Sequence, residues 1–182
     1  MAASPFATLL AAAQAGEAWA FGEIYRELAP AVSGYLAVQG AAEPDDLTSE
    51  VFVGVFRAIG TFTGPPAAFR SWVFTIAHRR LIDERRRAAR RPANVEITDE
   101  REPPGGDVED DAIVRLTTAR IRELCGRLRA DHRDVLLLRL VGGLTVEQVA
   151  GVIGKSVGAT KALQRRGLAA LRREIEREGV PL

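Results

Sequence analysis

Residues 144–173 read LTVEQVAGVIGKSVGATKALQRRGLAALRR, and the spacing within this stretch decides the fold. Thr145-Val-Glu-Gln148 fits a capping box that opens a short helix to about Ile153. Gly154 supplies a left-handed residue to end it, and Ser156 caps a last helix to about Glu178. Two helices joined by Gly154-Lys155-Ser156 form a helix-turn-helix pattern. In that geometry the second helix enters a major groove while the first crosses the backbone. Thr160, Leu163, Gly167 and Leu171 share one face of the second helix and can pack inward. Lys161, Arg165 and Arg172 share another, suited to phosphates and base edges.

Outward from this stretch the periodicity is helical almost throughout. Ile113, Thr117, Ile121, Leu124 and Leu128 form a stripe, and Asp131 can cap a helix from Val135 to Val141 that Gly142-Gly143 ends. Residues 92–111 hold Pro92, Pro103-Pro104, Gly105-Gly106 and an acid cluster, so they cannot offset ordering entropy by burial and read as a linker. Before the linker a helix spans about Ala67 to Arg90, with Phe69, Trp72, Val73 and Ile76 on one face and an arginine run at its end. The loop from Gly60 to Pro66 precedes it. A helix from Leu47 to Ile59 follows Pro44-Asp45-Asp46, whose carboxylates can cap it and favour its dipole. Phe21, Ile24, Tyr25, Leu28, Val32, Tyr35 and Leu36 mark a helix that Pro30 should bend or divide. The expected fold is all-α: two small helical domains, 1–91 and 112–182, joined by a flexible acidic linker, 92–111.

The chain has 182 residues, 47% hydrophobic and 27% charged, which excludes a wholly disordered polypeptide. Its longest uncharged stretch, Met1–Gly16, is shorter than a membrane span needs and lacks a basic start, so neither a span nor a signal peptide is expected. The single cysteine, Cys125, lies on an apolar stripe and reads as a small core residue; a reducing cytoplasm fits. The net charge of +1 conceals a pattern. Residues 1–77 carry −4, residues 78–95 carry +5, residues 96–114 carry −7 and residues 115–182 carry +7. Two basic blocks separated by an acidic one are the footprint of a polyanion partner.

Val51, Phe52, Val53, Val55, Phe56 and Ile59 make the central N-terminal helix apolar around much of its circumference. A domain of about 75 residues rarely buries a helix all round, which favours one face for the core and one for a partner. The next helix begins with aromatics and ends in arginines, a combination suited to single-stranded DNA. Phe69 and Trp72 read as core, which leaves the loop Thr61–Ala68 and the exposed helix face for DNA.

Several segments together resemble a bacterial RNA polymerase sigma factor of the extracytoplasmic-function group. Ala20-Phe-Gly-Glu-Ile-Tyr25 resembles the start of region two, and Asp45-Asp-Leu-Thr-Ser-Glu-Val-Phe52 the helix that binds core polymerase. Phe69-Arg-Ser-Trp72 with Ile76-Ala-His-Arg-Arg-Leu-Ile-Asp83 resembles the part that opens and reads the −10 element. Leu136-Leu-Leu-Arg139, Gly143-Leu-Thr145, Ser156-Val-Gly158 and Lys161 resemble region four, which reads the −35 element. The match extends over about residues 17–175. His78-Arg79 stands where many members carry Arg-Asn, and Ala162-Leu163-Gln164 where Ser-Arg-Leu is commoner.

The resemblance implies a factor without catalysis, cofactor or metal, whose partners are core RNA polymerase, promoter DNA and an anti-sigma protein. It implies core-polymerase docking through Asp45, Asp46, Leu47, Glu50 and Phe52. It places −10 contacts on Thr61, Phe62, Thr63, Arg70, His78, Arg79 and Arg86, with the Thr61–Ala68 loop holding a flipped base. The −35 contacts fall on Thr145, Gln148, Lys155, Ser156, Val157, Thr160, Lys161, Gln164, Arg165 and Arg166. The acidic linker would run through the polymerase. Neither a regulatory domain after Arg173 nor an inhibitory extension before region two is expected.

Two other classes compete. A conventional helix-turn-helix regulator explains residues 115–182 but neither the basic helix end at 78–91 nor the acidic linker. An enzyme has only His78 and His132 as histidine bases, both amid arginines and reading as surface or DNA-facing. No phosphate-cradling glycine loop, metal-ligand spacing or nucleophile motif accompanies them.

Overall fold

The structure is a computed structural model that describes residues 5–90 and 120–177. The described residues are helical and include no strand. The linker at 92–111, and with it Ile113 and Thr117, lies outside them. Helices α1 (Pro5–Gln14), α2 (Ala18–Gln39), α3 (Pro44–Ala58) and α4 (Pro66–Arg90) form the N-terminal half, with a 3-10 turn at Ile59–Thr61. The C-terminal half holds helical residues 120–126 (α5), then α6 (Ala130–Leu140), α7 (Val146–Ile153) and α8 (Val157–Arg177).

Helix α2 is continuous through Pro30, which therefore does not divide it in two. Proline removes one hydrogen bond, to the carbonyl of Arg26 four residues earlier. Pro30 and Arg26 are both exposed, so water can take that carbonyl, while Ile24, Leu28, Val32, Tyr35 and Leu36 are buried on both sides of the defect. Gly40, at φ 82°, ends α2, with its N–H on Ala37 O and that of Ala41 on Leu36 O. The Asp45-Asp46 pair does not cap α3. Glu43 occupies the cap position and Pro44 the first turn, because the fixed φ of proline suits that place. The two carboxylates lie just inside, where the dipole favours them, and Asp45 accepts a 2.9 Å bond from Ser33 that ties α3 to α2.

Helices α2, α3 and α4 enclose Tyr35, Phe52, Phe69, Phe74 and Leu81, all essentially inaccessible to water. Helix α1 lies across them through Leu10 and Ala13, and Phe6 reaches Phe69 with ring centroids 5.8 Å apart. In the C-terminal half four consecutive residues, Val135 to Leu138, are buried. At 100° per residue they cover the whole circumference of α6, which is therefore packed all round. One side meets α8, where a Cβ at Gly167 would lie 3.2 Å from Leu136; α2 and α7 also pack on it. Gly142 is needed where α6 ends, since a Cβ there would stand 2.5 Å from the carbonyl of Leu138.

The two halves pack together, α4 on α7 and α2 on α6, and their apolar residues form one cluster. Polar bonds reinforce the junction. Buried Gln39 donates to Asp134 (2.6 Å), and its carbonyl oxygen accepts from Arg85 (2.9 Å) and Arg133 (3.0 Å). Arg70 Nε donates to Gly142 O (2.6 Å), Gln148 Nε2 to Ala67 O (3.1 Å) and Arg122 Nε to Ala37 O (2.7 Å).

Candidate nucleic-acid interface

The helix-turn-helix is built as the spacing predicts. Gln148 N donates to Thr145 Oγ1 (3.2 Å) and Thr145 N to Gln148 Oε1 (2.9 Å), which completes the capping box of α7. Gly154, at φ 66°, ends α7, and Ser156 Oγ accepts from Ala159 N at the start of α8. Lys161, Arg165, Arg166 and Arg172 are exposed along α8. Lys155 is exposed and pairs with Asp131 at 3.3 Å. Val157 and Gln164 are half-buried. Thr160 is the exception among the candidate contacts. It is fully buried, with its hydroxyl on Ser156 O, and cannot face a groove because its side chain shares the inward stripe with Leu163 and Gly167. Asp131 does not cap α6. The cap position falls on Arg129, and Asp131 sits in the first turn.

The N-terminal candidates surround the 3-10 turn and α4. Thr61 and Thr63 are exposed, with the Thr61 hydroxyl on Ala58 O. Phe62 is half-buried on Phe69 and Trp72, each ring centroid 5.3 Å away. The loop closes over that ring: a Cβ at Gly64 would stand 2.8 Å from Phe62. Arg79 and Arg86 are exposed on α4, Arg86 with Asp83 3.8 Å away. Phe69 is fully buried and Trp72 half-buried, as core aromatics should be.

His78 is placed differently from its reading as a surface or DNA-facing residue. It is half-buried, and Nδ1 lies 2.8 Å from the hydroxyl of fully buried Tyr35. Burial holds the imidazole below its ordinary range, and Arg85 acts in the same direction, while Asp134 opposes both. Burial also raises the Tyr35 phenol above its ordinary range, with Asp134 acting likewise, so it keeps its proton. Gln39 Nε2 also donates to the phenol oxygen, at 3.4 Å. His132 is half-buried against α8. Burial keeps the Cys125 thiol protonated, as a core position does.

On α3 the structure divides the candidate docking residues. Asp45, Asp46 and Glu50 are exposed, the last 3.8 Å from Arg80. Leu47 and Phe52 are buried, so they shape α3 from within. The partner-face reading of α3 also shrinks. Val51, Phe52, Val55 and Ile59 are buried because α2 and α4 flank the helix, and Val53 remains as the large exposed apolar side chain, at 49%. Val53 lines an open groove with Asp46, Glu50, Arg57 and Arg80, and Tyr25, Pro30, Ser33, Asp45 and Ser49 line another between α2 and α3.

Sequence reasoning did not find Gln14, Gln39 or Asp134. Gln39 carried a signal, a polar residue in register with the stripe of Leu28, Val32, Tyr35 and Leu36. Gln14 and Asp134 carried none, since their partners lie 45 or more residues away.

Residues 24–91 match the Sigma-70 region 2 family and residues 126–173 match Sigma-70, region 4. The chain is 36% identical over 171 residues to the ECF RNA polymerase sigma factor BldN of Streptomyces coelicolor, covering 91% of this chain and 64% of that protein. It is 30% identical over 178 residues to the ECF RNA polymerase sigma factor SigD of Mycobacterium tuberculosis, covering 94% and 84%. The solved structure of CnrH in complex with the cytosolic domain of CnrY superposes with a TM-score of 0.70 at 25% identity, covering 93% of this chain and 96% of that one. With both regions present in order and a SigD relative matched over most of its length, the chain belongs to the ECF group of RNA polymerase sigma factors.

Proposed function

We propose that this chain binds core RNA polymerase, directs promoter-specific initiation and is restrained by an anti-sigma protein. The observation that carries the reading is the capped, glycine-turned α7–α8 pair with Lys161, Arg165 and Arg166 exposed, following an arginine-bearing α4 in one chain. Duplex contact at the −35 element falls to Thr145, Lys155, Ser156, Lys161, Arg165 and Arg166, with half-buried Val157 and Gln164 at the margin and Gln148 only if it leaves Ala67. Strand opening at the −10 element falls to the Thr61–Ala68 loop with Arg79 and Arg86, driven by capture of extruded bases rather than by nucleotide hydrolysis. Arg70 and His78 join that site only if they leave Gly142 and Tyr35. Asp45, Asp46 and Glu50 dock the polymerase.

The chain acts as an initiation factor in the cytoplasm and catalyses nothing itself. Anti-sigma restraint is supported by the likeness to CnrH, whose structure holds the cytosolic domain of CnrY. Run-off transcription with purified core polymerase tests the reading. Initiation at defined sites, abolished without the chain, is the expected result. Duplex binding by the chain alone with no directed initiation would replace it with a conventional regulator.

A further inference from the structure

Helix α1 lies before the region 2 match, which begins at residue 24, yet it reaches the loop assigned to base capture. Gln14, the last residue of α1, donates from Nε2 to Ile59 O (3.2 Å) and Phe62 O (2.7 Å). An amide nitrogen carries two hydrogens, and here each has a backbone acceptor. Those carbonyls bracket the 3-10 turn, because Phe62 N closes it on Ile59 O at 3.1 Å. Orienting the Phe62 peptide fixes where the chain leaves the turn and so where Thr63 points. From the other end of α1, Phe6 packs on Phe69, the ring on which Phe62 stands edge-on at 88°. One helix therefore props the loop twice, through the ring beneath it and through its backbone.

We propose that α1 sets −10 specificity and that Gln14 is the positioning residue for the Thr61–Thr63 backbone. Gln14 touches no base; it acts by holding the loop in a shape that receives one base better than others. The proposal rests on the base-capture role of this loop. The side chain is exposed, so replacing it leaves the buried core intact.

The test uses the full chain with core polymerase and templates randomised across the −10 element, with transcripts sequenced. Gln14→Met keeps the length and removes both donors, whereas Gln14→Lys keeps donors at that place. Gln14→Met is expected to flatten preference at one −10 position about fivefold, the equivalent of about 1 kcal/mol. Core-polymerase affinity and −35 dependence stay unchanged, and Gln14→Lys retains the original preference. In the free chain, amide exchange at residues 60–64 rises in Gln14→Met and not in Gln14→Lys. Unchanged exchange, or an equal loss at every promoter, overturns the proposal. Absence of directed initiation by the unaltered chain would overturn the sigma-factor reading instead, and with it the role of the loop.

Discussion

His78 is held neutral by burial beside Tyr35, and this has a consequence for pH. A base with a depressed native value binds its proton more readily when unfolded. The stability it confers is therefore complete above its ordinary value of 6.5 and declines as pH falls from there towards the native value. Between about pH 7 and pH 5.5 the unfolding midpoint of the native chain should drop more than that of His78→Gln. An equal drop would mean that groups other than His78 govern the acid limb. On α8, Lys161→Ala with Arg165→Ala should weaken promoter duplex binding at all sequences and reduce the salt slope by about two, one per lost phosphate contact. A slope unchanged in titrations from low to high salt would take those side chains off the backbone.

Single helices show how capping and close packing set the recognition unit. Thr145→Ala leaves the first turn of α7 without its side-chain acceptor and should cost about 1 kcal/mol in chemical denaturation. Helix α8 lies close against α6 at Gly167, where an added Cβ would press on Leu136 and His132 at 3.2 and 3.3 Å. Gly167→Leu should therefore cost about 1–3 kcal/mol and lower duplex affinity, although it adds no charge and touches no DNA, by tilting α8 away from its support. Loss of stability with unchanged affinity would show that α8 recognises DNA without that buttress. For α3, Asp46→Ala with Glu50→Ala removes two exposed carboxylates and should reduce binding to core polymerase measured without DNA.

Across the whole molecule, the contact between halves occupies groups assigned to DNA. Arg70 is bonded to Gly142, and Gln148 to Ala67, so neither can serve a promoter while the halves are packed as seen. Gln39 is the hub of the junction, and each of its polar atoms is used. Asp134→Ala removes the acceptor of its strongest bond and leaves a buried amide donor short of a partner, a penalty of about 1–3 kcal/mol. The expected outcome is a larger separation between fluorescent labels on the two halves, with each half still helical. An unchanged separation would mean that the shared apolar cluster, rather than the polar hub, holds the halves together.

The sequence by itself determined the segmental charge, which is a sum along the chain, and the helices, the capping box and the turn at Gly154, because each of these depends on residues within four or five positions of one another. The all-α fold and the helix-turn-helix were legible for that reason, and so was the order of motifs that resembles a sigma factor. Only the tertiary structure decided which apolar face of α3 is covered, that Phe52 points inward, that α2 remains one helix through Pro30, and that His78 answers to Tyr35. It also brought Gln14 to the 3-10 turn and Gln39 to Asp134. These outcomes depend on which surfaces meet after the chain has closed loops of dozens of residues, and side-chain periodicity carries no record of that pairing.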